Sequence, residues 1–250
     1  MAGMLDCGGR PLNLGRPQVM GILNVTPDSF SDGGRFVGAD AAIDHARSMV
    51  ADGAAIIDVG GESTRPGSRG ISVEEERQRV IPVLEALRDA VTVPLSVDTS
   101  KPELMVEAAA AGAGLINDVM ALRRPGALEA ARSTGLPVCL MHMQGVPETM
   151  QDDPRYDSVV VEVRDFLAER MADAEGAGIP RERIILDPGF GFGKTDPHNA
   201  RLLAGLAEIC DLGVPVLAGL SRKSLVGRVL GRALPERLAG SVAAAAIATW

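Results

Sequence analysis

The sequence predicts a parallel α/β barrel made of repeated strand-then-helix units, with its eighth strand and last helix expected beyond Trp250. Three observations carry this. Short apolar runs recur along the chain, each is followed by a segment with helical signals, and polar or glycine residues gather where the runs end. Continuous apolar runs, in place of alternating ones, suit strands buried on both faces, as in a parallel sheet covered by its own crossover helices. Seven such units and no linker or low-complexity stretch make a single domain over residues 1–250 the simplest organisation. A doubly wound open sheet is the alternative architecture.

The runs cover residues 19–25, 54–60, 94–98, 114–119, 138–143, 183–187 and 214–220. Gly53 stops the helix after the first run. Ser72 and Glu75 make a capping box for the helix after the second, and Pro82 inside it predicts a kink. Pro102 suits the first turn of the next helix and Gly112 its end. Val159, Val160, Val163, Phe166, Leu167 and Met171 recur at helical spacing and predict a helix that turns its stripe to the sheet, with Gly178 as its stop. Asp196 and Pro197 read as cap and first turn of another helix, and Pro235 opens the helix that runs toward Trp250.

Composition excludes several classes of function. The chain carries 25 basic against 33 acidic residues and has no basic tract, so nothing marks it for nucleic acid or an anionic membrane. Aromatic residues make up only 3% of it, too few for base-stacking platforms. There is neither a leader pattern nor an apolar stretch of about 18 residues, so a cytoplasmic protein without membrane contact is expected. Cys7, Cys139 and Cys210 are odd in number and widely spaced, which excludes a disulfide framework and a zinc pattern; all three read as small packing residues.

In a barrel of this kind the active site forms at the carboxyl ends of the strands. Asn24, Asp58, Asp98, Asn117 with Asp118, His142, Asp187 and the trio Ser221, Arg222, Lys223 all stand there. Carboxylates that only accept hydrogen bonds, an amide that both donates and accepts, and an ammonium that donates suit a flat heterocycle with ring N–H, amino and carbonyl groups. Asp98, Asn117, Asp187 and Lys223 form the candidate set. The run from Asp187 to Thr195 carries Gly189, Gly191 and Gly193 ahead of Lys194, but it is one residue short of a phosphate-binding P-loop. His45, His142 and His198 are too scattered for a metal triad, and no nucleophile elbow or activated cysteine is present.

Residues 21–34 (Gly-Ile-Leu-Asn-Val-Thr-Pro-Asp-Ser-Phe-Ser-Asp-Gly-Gly) resemble the first signature of the dihydropteroate synthases, a family of pterin-binding enzymes. Residues 58–67, 96–99, 116–118, 187–195 and 221–224 match the family's other blocks in order. The resemblance implies a TIM (β/α)8 barrel acting as a transferase in folate biosynthesis. It would condense 6-hydroxymethyl-7,8-dihydropterin pyrophosphate with 4-aminobenzoate through loss of pyrophosphate and attack of the arylamine on a pterin cation. It also implies roles: Asp98, Asn117, Asp187 and Lys223 on the pterin, Asn24 on the Mg2+ of the pyrophosphate, and Thr64 and Arg65 on the phosphates. Phe30, Pro66, Phe192, Lys223, Ser221 and Ser224 would line the substrate slot, with Asp32 near the arylamine. Asp98, Asp187, Lys223, Asp32 and Arg65 are the catalytic candidates. A homodimer and sensitivity to sulfonamides follow from the same resemblance, as does an Arg-x-His phosphate site on an eighth strand. A pterin-dependent methyltransferase module and a non-catalytic pterin-binding paralogue are the alternatives.

Overall fold

The structure, a computed structural model, describes residues 3–25, 35–64 and 67–249, with the side chains of residues 35–39 left aside. Its centre is a six-stranded parallel sheet in which β3 (Met20–Asn24), β4 (Ile56–Gly60), β5 (Leu95–Asp98), β6 (Leu115–Asp118), β7 (Val138–Met141) and β8 (Ile184–Asp187) pair in sequence order. Parallel neighbours need a crossover between them. The helices α1 (Arg35–Ala51), α2 (Val73–Ala90), α3 (Pro102–Ala111), α4 (Ala127–Thr134) and α5 (Val159–Gly176) supply it. After β8 come α6 (Asp196–Ala204), α7 (Leu206–Cys210), α8 (Ser224–Leu230) and α9 (Leu238–Ala248).

Alternation along the strands separates two cores. Outward residues, including Leu23, Ile57, Val59, Val97, Ile116, Leu140 and Leu186, pack with helix residues such as Val80, Leu84, Leu87, Met105, Val163 and Leu167 in one large cluster. Inward residues at the amino-terminal end, Ile56, Leu115, Cys139 and Ile185, form a second cluster that is completed from outside the sheet. Leu5, Cys7 and Leu12 complete it. They come from an antiparallel hairpin, β1 (Met4–Cys7) and β2 (Arg10–Asn13), that the sequence reading did not include. Gly8 and Gly9 both have positive φ (64° and 85°), which a two-residue turn of this hand requires. Arg10 pins the hairpin by donating from Nη1 to the carbonyls of Val91 (2.9 Å) and Val93 (2.8 Å).

Six of the expected strands are present. The segment 214–220 is not a strand but makes one bridge, Leu186 to Val216, through Leu186 N to Pro215 O (2.9 Å) and Leu217 N to Leu186 O (2.8 Å). Its ladder is limited to these bonds along β8. Helix signals fare well: Ser72 accepts from Glu75 N at the start of α2, Pro102 opens α3, and Gly112 ends α3 with φ 111°. Helix α2 runs through Pro82 to Ala90. The cap of α6 is Thr195, bonded reciprocally with His198, so Asp196 is the first helical residue and not the cap. Pro235 lies in a short 3-10 turn ahead of α9. Cys7 and Cys139 are buried as expected, but Cys210 at the end of α7 is exposed, because its neighbour Ile209 takes the inward position.

Candidate active site

On β4, β5, β6 and β8 the inward positions above the apolar seal carry Asp58, Asp98, Asn117 and Asp187, while β7 presents Met141. Register places Asp58 beside Ser96, Gly60 beside Asp98, and Asp98 beside Asn117. Asn117 donates from Nδ2 to Asp58 Oδ2 (3.0 Å), reaching across the strand between them. A methyl group on Gly60 would sit 3.5 Å from Asp98 Oδ2 and 3.8 Å from Asn24 Oδ1, so Asn24 and Asp98 reach over the same bare glycine. Asp187 lies two strands further round, opposite Met141. Cys139, the register partner of Asn117, lies close to these acids: its thiol is pushed up by burial and by the charges of Asp187, Asp58 and Asp98. Thr64 and Asp98 together line a cavity of about 230 Å³.

Burial pushes Asp98 well above the usual carboxylate range, and the neighbouring charges of Asp58, Asp118, Glu76 and Glu62 push it further. Asp58 is also raised by burial, against the pull of Ser96 and Asn117. Asp187 is raised by burial although Lys223, the Gly189 N–H and Lys194 oppose it; Gly189 N donates to Asp187 Oδ1 at 2.7 Å. So many desolvated acids facing one space call for a ligand that brings donors or positive charge. Asp118 has another task. Ser100 Oγ, Met120 N (2.8 Å) and Leu122 N (2.7 Å) donate to it, which holds the positive φ of Ala121 and Leu122 in the loop after β6.

Lys223 caps α8 and is drawn down to about 8 by burial, against the charge of Asp187. Its ammonium donates to the Phe190 carbonyl and lies 4.6 Å from the centroid of Phe192. The preceding residue, Arg222, has φ 57°, and Ser241 Oγ on its N–H (2.9 Å) and Arg237 Nη1 on its carbonyl (3.0 Å) hold it there. Strain of this kind, of order 1–3 kcal/mol, persists only where the surroundings impose it. Ser221 and Ser224 flank Lys223 and are exposed.

The glycine loop after β8 is built around Lys194. This side chain is 1% exposed, and its ammonium donates to His142 Nδ1 (2.8 Å) and to the carbonyls of Gly189 (2.9 Å) and Phe192 (3.1 Å). A lysine spent in this way offers nothing to a phosphate. The loop needs its glycine: a Cβ on Gly189 would lie 1.9 Å from the His142 carbonyl. Burial draws Lys194 down to about 7, and burial with the Lys194 charge holds His142 down to about 2, so the imidazole is neutral and accepts at Nδ1. A second buried lysine, Lys101 at the start of α3, donates to Glu62 and to the buried Glu76, tying the loop after β4 to α2 and α3.

The structure therefore gathers Asn24, Thr64, Asp98 and Asn117 around the mouth of β3 to β6, with Asp187, Phe192 and Lys223 across from them. Phe30, Asp32, Arg65 and Pro66 lie outside the described residues. Asp58, Lys101 and Lys194 are the residues sequence reading undervalued. Only Asp58 had a signal, its place at the end of an apolar run; the ion pair and the lysine-centred loop join positions too far apart to be seen by spacing.

The model of the family described as pterin binding enzyme matches residues 20–250 of the chain. The dihydropteroate synthase of Escherichia coli K12 is 58% identical over 240 residues, covering 96% of this chain and 85% of that relative. Among solved structures, a Xanthomonas albilineans dihydropteroate synthase with 4-aminobenzoic acid superimposes with a TM-score of 0.94 at 56% identity, covering 100% of this chain and 89% of that one. A Yersinia pestis dihydropteroate synthase with a sulfonamide drug reaches a TM-score of 0.93 at 53% identity, covering 98% and 89%.

Proposed function

The chain belongs to the pterin binding enzyme family, among its dihydropteroate synthases, and on that premise we propose the part each side chain plays. The enzyme is a transferase that joins 6-hydroxymethyl-7,8-dihydropterin pyrophosphate to 4-aminobenzoate, giving 7,8-dihydropteroate and pyrophosphate. The observation that carries the residue assignment is the shared polar layer of Asp58, Asp98, Asn117 and Asp187 above an apolar seal. Asp98 and Asp187 accept from ring N–H and amino groups of the pterin, Asn117 contributes its amide, and Lys223 donates to the ring carbonyl.

The reaction suits such a site. Pyrophosphate is a good leaving group, and its departure leaves positive charge on the pterin methylene that the conjugated ring spreads. Asp98 and Asp187, already crowded with negative charge, are stabilised by a cation in their midst, so the electrostatic interaction grows toward the transition state. The arylamine is nucleophilic while neutral, so no general base is required before attack. Positioning and water exclusion do the rest. In this scheme Phe192, Pro66, Phe30, Ser221 and Ser224 border the aminobenzoate, and Asp32 takes the amine proton.

Mg2+ fits as a passenger of the pyrophosphate. A hard cation of this kind keeps waters and phosphate oxygens as ligands and takes one or two oxygens from the protein. The amide oxygen of Asn24 reaches over Gly60 beside Asp98 and is the donor we assign; Thr64 and Arg65 serve the phosphates directly. When bound, the ion neutralises charge on the departing group.

A homodimer in the cytoplasm is the working form we propose. The apolar side chains of Val229, Leu230, Leu234, Leu238 and Val242 on α8, α9 and the turn between them are exposed and support it. A sulfonamide, which mimics aminobenzoate, competes for the same slot. The decisive assay follows pyrophosphate release with both substrates and Mg2+. Release that depends on 4-aminobenzoate is the expected result, and release at equal rate without it overturns the reading.

A further inference from the structure

We propose that Asp58 is a positioning and specificity residue: by accepting from Asn117 Nδ2, it fixes which end of that amide faces the pterin. The inference rests on the pterin assignment given above. Asp58 is 3% exposed and is fixed in the interior of β4, while Asn117 on β6 is only partly covered. The bond between them is 3.0 Å, from Nδ2 to Oδ2, across the intervening β5.

The chemistry of the pair decides the rest. An asparagine amide is nearly symmetric in shape but not in function, since one end donates and the other accepts. An ionised carboxylate only accepts. Held against Asp58, the amide keeps Nδ2 inward and turns Oδ1 toward the open side. The ligand edge that meets position 117 must then donate to an oxygen, as a ring N–H or exocyclic amino group does. Without Asp58 either end can face outward, and a ligand presenting an acceptor there is tolerated. Ser96, the register neighbour of Asp58, carries a hydroxyl that both donates and accepts, so it would not fix the direction of the amide in its place.

Mismatched buried hydrogen-bonding groups are what give polar sites their discrimination. Loss of the orientation imposed on one amide, in a site with three further pterin contacts, weakens pterin binding by about 2-fold when both orientations are equally populated and by about 10-fold when the inverted one prevails nine to one. The 4-aminobenzoate side, which Asn117 does not face, is unaffected. An amide at position 58 also lets a swap test the direction of the bond. With Asp58→Asn and Asn117→Asp combined, the new amide at 58 donates to the new carboxylate at 117, which still offers an oxygen outward.

The test is calorimetric titration of 7,8-dihydropteroate into wild type, Asp58→Asn, Asn117→Asp and the double variant, with KM for both substrates measured alongside. Wild type that fails to bind sinks the pterin assignment itself and is thereby separated from failure of this inference. Given wild-type binding, the expected pattern is a Kd raised about 2- to 10-fold by Asp58→Asn, a larger loss in Asn117→Asp where two carboxylates meet, recovery of at least 10-fold by the double variant over Asn117→Asp, and a KM change confined to the pterin substrate. A wild-type Kd for Asp58→Asn overturns the inference, as does a double variant no tighter than Asn117→Asp. The second comparison stands even where Asp58→Asn alone folds poorly, and thermal unfolding of each variant is recorded to place it.

Discussion

The same strands build two ends that behave oppositely. At the amino-terminal end Ile56, Leu115, Cys139 and Ile185 meet Leu5, Cys7 and Leu12, and every side chain is buried among apolar neighbours. One layer higher, Asp58, Asp98 and Asp187 hold carboxylates in a place where burial raises them above the usual carboxylate range and makes their charge costly. The lower layer gains stability from burial, roughly 25 cal/mol for each Å² of apolar surface removed from water. The upper layer forgoes that gain and acquires a site. Stability and chemistry are thus separated along the barrel axis, not mixed around it.

The separation is breakable in both directions. The largest effect is expected for Asp98→Asn, which keeps shape and removes charge: kcat/KM should fall about 10²- to 10³-fold, read by pyrophosphate release. Because burial penalises its charged carboxylate, replacing it with a neutral amide should leave the melting point at or above wild type at pH 7.5. A melting point well below wild type would mean that the polar layer also bears the fold. Leu115→Ala is the converse experiment. Its cavity should cost about 2–5 kcal/mol, lowering Tm by roughly 5–15 °C, while kcat/KM of the folded fraction at low temperature stays within about two-fold. A large loss of turnover in the folded protein would show that the layers are coupled.

The pH dependence of stability divides the ends more finely. His142 is held down to about 2, against an ordinary value of 6.5, so below 6.5 the unfolded chain takes up a proton that the folded chain refuses. Its contribution is therefore complete above pH 6.5 and is lost as pH falls below it. Lys194, held near 7 against 10.5, gives a rise in stability from pH 7 toward 10.5 by the same sign. The raised acids pull the other way, since the folded state keeps their protons longer. In His142→Gln the rise of Tm between pH 4.5 and 6.5 should shrink; an unchanged slope would place that linkage elsewhere. The smallest expected effect is chemical: a maleimide should label the native protein once, at Cys210, leaving Cys7 and Cys139 until denaturation. Rapid labelling of Cys139 would show that the seal beneath the acids opens.

The two ends were also unequally legible from sequence. The strand runs and their polar ends were visible because parallel strands buried on both faces are continuous apolar stretches. Asp98, Asn117, Asp187 and Lys223 were placed by that rule alone. Residues 214–220 looked the same, yet among the described residues their strand-like hydrogen bonds go to Leu186, and apolar character does not reveal whether a partner is there to complete a ladder. The hairpin went unseen although Gly8-Gly9 marks its turn, because four-residue strands carry little periodicity. Asp58 was found but not weighed, since what matters is its bond to a residue 59 positions later. Lys194 shows the same limit: its sequence context falls one residue short of a phosphate loop and suggests no other role, and only the carbonyls around it reveal an inward anchor.

The hairpin sets a schedule for synthesis. Its two strands are adjacent and can pair within about 1–10 μs once they leave the ribosome. The surface it must cover is assembled from β4, β6, β7 and β8, and Ile185 emerges some 170 residues after Leu12. At about 5–20 residues per second, that is roughly 9 to 35 s during which Leu5, Cys7 and Leu12 have nowhere to dock. An element made well before the strands it covers is among the last to be used. Until then it is an exposed apolar ribbon with open edges, the part of the nascent chain that chaperones have most reason to hold.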